Sequence, residues 1–275
     1  MIARAYEEDL GDTGDLTTLA TIPPGHRSVA KIVARAPGCV AGVPVVEMCF
    51  AHVDREIVVE RLVEDGAVVA VGTVLLEASG PTRSLITAER TALNILGWLS
   101  GIATVTHAFV DAVMGTGSKI SDTRKTTPSL RALEKYAVAI GGGVNHRMGL
   151  YDAVMIKDNH LAASTSIADA VAKARSLVGP DIVVEIEVDN LDQLIEAIDT
   201  DADVVLLDNM NPVDLARAVA MVGGAKRTEA SGGVTLSTVR AIAETGVDVI
   251  SVGRLTHSAP ALDVAMELSD TRPAT

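Results

Sequence analysis

The stretch DIVVEIEVDNLDQLIEAIDTDADVVLLDN, residues 181–209, predicts a strand, a helix and a second strand. Its two ends are dense in Val, Ile and Leu, as strands are when both faces of a sheet are covered. The middle part, NLDQLIEAIDT, spaces its apolar residues by three and four, which is the period of a helix. A strand–helix–strand unit of this kind builds a parallel sheet.

The same unit recurs from about residue 118 to residue 253. Six strand-like runs alternate with five helical segments, and the runs are SKISDT (118–123), DAVMIKD (152–158), DIVVEIEV (181–188), DVVLLDN (203–209), KRTEAS (226–231) and VDVISVG (247–253). This alternation predicts an incomplete parallel α/β barrel, with an open doubly wound sheet as the alternative. No GxGxxG follows the first strand, so a dinucleotide-binding fold has little support.

The first hundred residues have a different pattern. Residues 28–80 contain short runs rich in Val and Ile between glycines and prolines, which predict strands and turns without a helix. Residues 84–113 then predict a long helix with a break near Ser100–Gly101. We therefore predict an N-terminal domain over residues 1–100 and the barrel over residues 101–260, followed by a tail, 261–275, that can pack on the first domain.

Composition narrows the class of protein. The 275 residues carry a net charge of −13 and only 2% are aromatic, which argues against nucleic-acid binding. No run of 18 uncharged apolar residues predicts a transmembrane helix, and the N-terminus lacks the apolar centre of a signal peptide. The two cysteines, Cys39 and Cys49, are too few for a disulfide framework. We therefore expect reduced thiols, a cytoplasmic location, and neither nucleic acid nor membrane as a partner.

Positive charge is concentrated between residues 119 and 157. This stretch has seven Lys and Arg residues against three Asp and Glu residues, within a strongly acidic chain. Two of the cations, Arg131 and Lys135, fit a helix surface because they are four residues apart. Most of the others lie near predicted strand ends or beside His146 in GGGVNHRMGL (141–150). This clustering indicates a pocket for a small anion that carries several charges.

Functional groups of α/β barrels lie at the carboxyl ends of the strands. The six predicted ends each carry a charged or polar residue or a glycine, and they are DTRK (122–125), IKDNH (156–160), EIEVDN (185–190), LLDN (206–209), EASGG (229–233) and SVGR (251–254). One polar strand end carries little information, whereas six in succession are hard to explain by packing alone. We therefore expect these ends to line one pocket.

Three chemical roles follow from the residue types at these ends. Arg and Lys suit a dicarboxylate, and the glycines at 141–143 allow the chain to turn cationic side chains inward. The cationic candidates are Arg124, Lys125, His146, Arg147 and Lys157. The carboxylates of Glu187 and Asp208 suit Mg²⁺ or sugar hydroxyls. Backbone N–H groups suit a phosphate, and SGG is expected to open a helix. The phosphate candidates are Ser231, Gly232, Gly233 and Gly253.

Each assignment has an alternative. Glu187 and Asp208 could form surface salt bridges, His146 could be a structural histidine, and SGG could be an ordinary turn between strand and helix. Lys157 ends a strand, where a Schiff-base aldolase places its lysine, so an aldolase is a competing enzyme class. A barrel that binds anions without turnover is a second competing class.

Several motifs together resemble the quinolinate phosphoribosyltransferase family, a type II phosphoribosyltransferase family. In chain order they are EDLGDTGDLTT, ERTALNILGWLSGIAT, DTRKTTP, LRALEKYAV, GGGVNHRMGLYDAVMIKDNH, EIEVD, LLDN, EASGG and VGRLTHS, from about residue 7 to residue 258. The resemblance implies an N-terminal α/β sandwich domain followed by an incomplete α/β barrel. It also implies transfer of phosphoribosyl from phosphoribosyl pyrophosphate to quinolinate, with decarboxylation, in the synthesis of NAD.

The same resemblance implies roles for individual residues. The five cationic candidates would line the quinolinate and phosphate pocket, whereas Glu187 and Asp208 would face the ribose and its Mg²⁺, directly or through the substrate. His257 would join the phosphate candidates. A homodimer is implied in which Arg90 of one subunit reaches the partner's site. The residues expected to act in catalysis are Lys125, Lys157, Glu187 and Asp208.

Three positions depart from the family pattern. Ser129, Ala230 and Arg254 stand where a glycine, a second serine and a small residue are usual. Arg254 adds a charge near the predicted phosphate site. A paralogous group, the pyrophosphorylase-like proteins of molybdenum operons, shares the fold and leaves another acceptor as the alternative to quinolinate.

Overall fold

The computed structural model describes residues 1–270 of the chain. The helices are α1 (Ile2–Leu10), α2 (Leu16–Thr21), α3 (Val43–Val53), α4 (Thr82–Ala112), α5 (Arg131–Ile140), α6 (Asp158–Leu161), α7 (Ile167–Val178), α8 (Leu191–Ile198), α9 (Pro212–Val222), α10 (Val239–Ala243) and α11 (Arg254–His257). The strands are β1 (Arg27–Ala34), β2 (Gly38–Cys39), β3 (Val58–Arg61), β4 (Val68–Val69), β5 (Val74–Pro81), β6 (Lys119–Ser121), β7 (Val154–Ile156), β8 (Val184–Val188), β9 (Val204–Asp208), β10 (Arg227–Ser231), β11 (Val249–Ser251) and β12 (Val264–Asp270).

The chain divides into two compact units, Met1–Val105 with the segment from Ala259 onward, and Thr106–Ser258. The first unit contains an antiparallel sheet in the order β12-β1-β5-β3 and a small β2-β4 sheet. β12 pairs with β1 along its whole length, so the segment after the second unit completes the sheet that began near the N-terminus. Of the tail that was expected to pack here, residues 271–275 lie outside the described part of the chain.

Helix α3 contradicts the prediction that residues 28–80 contain no helix. Its sequence, VPVVEMCFAHV, is rich in valine and therefore looks like a strand. The carboxylate of Asp65 accepts hydrogen bonds from the backbone N–H groups of Gly42 (2.8 Å) and Val43 (2.9 Å). These bonds satisfy donors that a helix start leaves unpaired. Because the capping residue lies far along the chain, the helix was not visible in the local pattern.

Helix α4 is continuous, so the predicted break near Ser100–Gly101 is wrong. A side chain on Gly101 would place its Cβ 2.0 Å from the carbonyl oxygen of Pro260, and one on Gly97 would lie 2.8 Å from that of Leu262. These glycines thus allow a backbone segment to pack closely against the helix. By length and hydropathy α4 could span a membrane, but 61% of its most apolar window is buried in the fold, as in the core helix of a soluble protein.

The two cysteines lie in the first unit, and both are free and buried. Burial raises the pKa of the Cys49 thiol to about 11 and also raises the pKa of Cys39. Both sulfurs are therefore protonated near neutral pH, and they pack as small apolar groups.

The second unit confirms the predicted parallel α/β architecture. Its six strands pair in parallel in the order β6-β11-β10-β9-β8-β7, and each predicted run contains one of them. β9 is one of the two central strands: it pairs with β8 and β10 over most of its length, and its first four residues are buried. The helices α5 to α11 alternate with these strands, as the period of the sequence predicted.

Strands β7 to β11 follow one another across the sheet without a reversal of order, and β6 pairs with β11, so the first strand lies next to the last as in a barrel. β6 and β7 are not paired with each other, so the barrel is incomplete. The segment that follows α5 lies along the β6 edge. Val144 forms a parallel bridge with Ser121, its N–H donates to the carbonyl of Ile120 (2.8 Å), and its carbonyl accepts from the N–H of Asp122 (3.3 Å). The stretch GGGVNHRMGL thus begins as a short extra strand and then enters the end of the barrel that carries the polar residues.

Candidate active site

The carboxyl ends of the parallel strands surround a cavity of about 380 Å³, here called the cationic pocket. It contains all five cationic candidates together with both predicted carboxylates. Its charged lining residues are Arg124, Lys125, His146, Arg147, Lys157, Glu187, Asp208 and Glu229. Residues from the ends of all six parallel strands and from the 141–150 segment thus meet in one place, as the alternation of strands and helices predicted.

A second cavity of about 500 Å³, here called the glycine pocket, adjoins the first. Lys125, Asp208 and Ser231 line both cavities, so the two form one continuous site. The glycine pocket also contains the remaining phosphate candidates and the unusual arginine. Those residues are Gly232, Gly233, Gly253, Arg254 and His257.

The turn after β10 approaches its neighbour closely. Gly232 has a φ of +99°, and a Cβ there would lie 2.1 Å from Oδ1 of Asn209. Only glycine combines this backbone conformation with that contact. The prediction that SGG opens a helix is wrong, because α10 begins only at Val239. An irregular turn, rather than a helix, presents the backbone of residues 231–233 to the cavity.

Arg124 and Arg147 supply two guanidinium groups to the cationic pocket. Nε of Arg124 is buried and has no hydrogen-bond partner in the described structure. Nη1 of Arg147 donates to the carbonyl of Ala153 (2.9 Å), which orients the side chain. Burial, followed by the charge of Arg124, lowers the pKa of Arg147. The pocket therefore concentrates positive charge that an anion would offset.

Lys157 and Glu187 form an ion pair across neighbouring strand ends, with Nζ 3.1 Å from Oε2. Burial raises the pKa of Glu187, Lys157 opposes that shift, and the charge of Asp208 reinforces it. Two carboxylates that repel each other in one cavity are hard oxygen donors of the kind that Mg²⁺ takes from proteins. Glu187 and Asp208 thus fit a magnesium site by their chemistry.

Two of the three glycines before Val144 have separate structural reasons. Gly142 adopts a φ of +89°, which turns the chain away from α5. A Cβ on Gly143 would lie 2.9 Å from side-chain carbons of both Thr106 and Val138. The chain can therefore bend and pass close to the core before it delivers His146 and Arg147 to the pocket.

His146 lies above two buried glutamates that the sequence analysis missed. Its Nε2 is 3.0 Å from Glu185 and 3.6 Å from Glu229, and its Nδ1 accepts from the N–H of Arg147 (2.7 Å). Burial lowers the pKa of His146, but the two carboxylates raise it further, so the net shift is upward. Burial and the charge of Glu185 raise the pKa of Glu229 to about 7.

These three residues could hold a cation, because their ligand atoms lie within 4.8 Å of one another. Because burial and Glu185 raise the pKa of Glu229 to about 7, protonation of Glu229 would also reduce the repulsion between the two carboxylates. The alternation in EIEV was the available signal, since it places Glu185 and Glu187 on the same face of β8. Alternation does not show how deeply a side chain is buried. Glu187 lies at the rim of the barrel, whereas Glu185 lies in its interior.

The interpretation of Lys135 as a surface charge is wrong. Lys135 and Asp122 are both buried and form an ion pair beneath the pocket. Arg131 is half-buried, and donates to the hydroxyl of Thr126 (2.8 Å) and the carbonyl of Met148 (2.9 Å). The spacing of four residues places Arg131 and Lys135 on the same face of α5. That face contacts the 141–150 segment rather than solvent.

Arg90 belongs to the first unit and is exposed. It lines a cavity of about 500 Å³ with Ile86, Thr87 and residues of the 9–16 segment. Its predicted role at a partner's site stays a prediction.

Two family models match the chain. The N-terminal domain of quinolinate phosphoribosyl transferase matches residues 15–100, and the C-terminal domain matches residues 102–267. The nicotinate-nucleotide pyrophosphorylase (carboxylating) of Mycobacterium leprae is 46% identical over 273 residues, which cover 97% of this chain and 95% of the relative. The probable enzyme of the same name from Bacillus subtilis is 44% identical over 265 residues, covering 96% and 91%.

Solved structures of similar proteins have the same fold. NadC from Streptococcus pyogenes superimposes with a TM-score of 0.95 at 39% identity, covering 98% of this chain and 96% of that one. The nicotinate-nucleotide pyrophosphorylase from Francisella tularensis gives a TM-score of 0.94 at 39% identity, covering 98% and 94%. With both domains matched and relatives this similar over nearly their whole length, the chain belongs to the quinolinate phosphoribosyltransferase family.

Proposed function

We propose that the protein transfers phosphoribosyl from phosphoribosyl pyrophosphate to quinolinate and releases CO₂, in the de novo synthesis of NAD. The observation that carries this proposal is the gathering of four Lys and Arg side chains and His146 in one cavity that continues into a glycine-lined one. A pyridine dicarboxylate and an activated sugar phosphate need two such adjoining sites.

The proposed reaction needs no nucleophile from the protein. The ring nitrogen of quinolinate bonds to C1 of the ribose as the bond from C1 to pyrophosphate breaks. The ring, now cationic, stabilises the carbanion that remains when the 2-carboxylate leaves as CO₂, and that carbon then takes up a proton. The protein's task is to hold the nitrogen against C1 and to stabilise the charge of the departing pyrophosphate.

The cationic pocket is the acceptor site in this proposal. The unpartnered Nε of Arg124 and the oriented guanidinium of Arg147 suit the planar carboxylates of quinolinate, because arginine matches a carboxylate with two parallel hydrogen bonds. Lys125 lines both cavities and is placed to contact both substrates. The amine of Lys157 is paired with Glu187, which favours a charge-stabilising role over a Schiff-base role for this lysine.

The glycine pocket is the site for the 5′-phosphate. Gly232 and Gly233 both have positive φ values, and a turn of this kind can present consecutive N–H groups to an anion. His257 and Arg254 add side-chain donors to the same cavity. Arg254 departs from the family pattern, and its positive charge in this cavity is expected to change the affinity for phosphate.

Mg²⁺ is the proposed cofactor, held by Glu187 and Asp208 directly or through the sugar diphosphate. When bound, it supplies positive charge that stabilises the pyrophosphate leaving group. Chelation with EDTA is expected to abolish turnover, and added Mg²⁺ to restore it. Glu187→Gln should raise the Mg²⁺ concentration that gives half-maximal rate about tenfold. Unchanged turnover in EDTA would remove the metal from the mechanism.

The proposed assembly is a homodimer in which Arg90 of each subunit reaches the acceptor site of its partner. Support comes from the exposure of Arg90 and from the shared site that the family resemblance implies. The location is proposed to be cytoplasmic.

The deciding experiment incubates the protein with phosphoribosyl pyrophosphate and Mg²⁺, and with quinolinate or nicotinate in parallel. Pyrophosphate and CO₂ released together, with quinolinate only, are the expected result. Pyrophosphate released with nicotinate alone would assign another acceptor, as the molybdenum-operon paralogues suggest. Binding of quinolinate with no pyrophosphate released would indicate an anion-binding barrel without turnover.

A further inference from the structure

We propose that the buried Asp122–Lys135 ion pair positions the backbone of His146, and through it the acceptor-binding side chains of His146 and Arg147. Asp122 and Lys135 lie outside the binding set described above. The inference rests on the proposed function for its kinetic readout, but its structural readout is independent of that function.

The pair holds both polar backbone groups of a single residue. Asp122 Oδ1 accepts from the backbone N–H of His146 (2.9 Å), and Lys135 Nζ donates to the carbonyl of His146 (2.9 Å) while it also donates to Asp122. In the amide orientation that satisfies its neighbours, Asn145 donates to Asp122 Oδ2 (2.6 Å) and to the carbonyl of Lys135 (2.9 Å). The three side chains thus form a clamp around one peptide segment.

Position along the chain explains why a clamp is needed here. The ladder to β6 ends at Val144, so within the described part of the chain His146 and Arg147 have no strand partner to fix their backbone. The Arg147 N–H depends in turn on His146, because it donates to Nδ1 of that ring. A displaced His146 backbone therefore moves both side chains that enter the cationic pocket.

Stability alone is a poor explanation for the pair. Asp122 and Lys135 are 0% and 1% exposed, and moving two charges out of water costs about as much as their attraction returns. Apolar residues of similar volume would serve a purely structural core equally well. Only a charged pair supplies an acceptor and a donor at the right places to hold one N–H and one carbonyl, and binding groups must be held to within about 0.5 Å.

The test is the doublet Asp122→Leu/Lys135→Met, which leaves neither charge unpaired and is therefore expected to fold. The matched control is Arg175→Met/Asp203→Leu. That pair also holds backbone groups, among them the carbonyl of Ile182 (2.9 Å) and the N–H of Val184 (2.7 Å), but at the opposite ends of the strands.

The first doublet should raise the KM for quinolinate about tenfold or more while leaving the KM for phosphoribosyl pyrophosphate within about twofold. The control should leave both constants unchanged. The backbone amide of His146 should exchange hydrogen about tenfold faster in the first doublet than in the parent protein. A folded doublet with parent-like quinolinate KM, or with parent-like exchange at His146, would overturn the proposal.

Two further outcomes remain decisive. If the doublet does not fold, Asn145→Ala takes its place, since it loosens the clamp without leaving a charge unpaired. A several-fold rise in quinolinate KM would support the clamp, and a parent-like value would refute it. If the parent protein itself shows no turnover, the proposed function fails, and the exchange rate of His146 alone decides the positioning role.

Discussion

Charge at individual side chains is the main property of this site. The chain as a whole is acidic, yet the cationic pocket brings together two arginines and two lysines. Nε of Arg124 is buried and has no hydrogen-bond partner among residues 1–270. A buried donor of this kind costs free energy until a ligand satisfies it. The pocket therefore favours a substrate with two carboxylates over one with a single carboxylate.

Loss of one cation should weaken acceptor use without unfolding the protein. Arg147→Ala and Lys125→Ala are each expected to lower kcat/KM for quinolinate by roughly 100-fold, because a charge-assisted hydrogen bond contributes about 2–3 kcal/mol. The control is Lys119→Ala, an exposed lysine at the other end of β6, which should leave kcat/KM unchanged. Parent-like turnover by either pocket variant contradicts the assignment.

Glu229 makes stability depend on pH. Its pKa rises from 4.5 to about 7, mainly because it is buried and faces Glu185. The folded state thus holds this proton more tightly than the unfolded state, so its contribution is present below pH 4.5 and is lost as pH rises to about 7. Glu229→Gln should remove that loss and gain up to about 3 kcal/mol relative to the parent at pH 8.

Urea unfolding at pH 5 and at pH 8 measures this difference. Glu244→Gln is the control, since Glu244 lies on the surface and pairs with Arg240. A gain that is equal at the two pH values would mean that titration of Glu229 is not its cause.

Gly101 lies inside helix α4 and does not end it. Glycine costs a helix about 1 kcal/mol relative to alanine, so Gly101 looks like a break in the local pattern. In the fold it lets the carbonyl of Pro260 pack where a side chain would otherwise stand. Gly101 therefore lowers the helix propensity of α4 but allows the segment around Pro260 to pack closely against it.

Gly101→Ala should therefore destabilise the protein by about 2 kcal/mol, although alanine is the better helix former. Thermal unfolding measures the effect. Asn94→Ala lies on the exposed face of the same helix and should be neutral or slightly stabilising. A stabilised Gly101→Ala protein would show that the neighbouring segment is free to move away.

The complete active site extends beyond one chain in the proposed assembly. Arg90→Ala and Lys157→Ala are each expected to be nearly inactive alone, because one lacks the donated arginine and the other lacks a group of the pocket. When the two variants are mixed after denaturation and refolding together, each mixed dimer should regain about one working site. Activity of the mixture no higher than that of the separate variants contradicts a shared site.

Patterns along the chain predicted most of the second unit and of its site. The strand runs were visible because a buried parallel strand is almost continuously apolar, and the site followed because strand ends share one edge. Glu185 was missed because alternation reports a face and not a depth. Lys135 was misassigned because its partner, Asp122, is distant in sequence. Ser129 is a milder case: its φ of 68° explains why a glycine is usual there.

Local chemistry in the amino-acid order thus specifies the order of strands and helices, the cations and glycines that follow the strands, and the family. Side-chain period and backbone freedom act between near neighbours, so they can be read directly from the chain. The cap on α3, the unbroken course of α4, the pair of glutamates buried beneath His146 and the clamp on its backbone arise only in the folded protein. Each of these depends on groups far apart in sequence, and their energies follow from burial and distance, which exist only once the chain has folded.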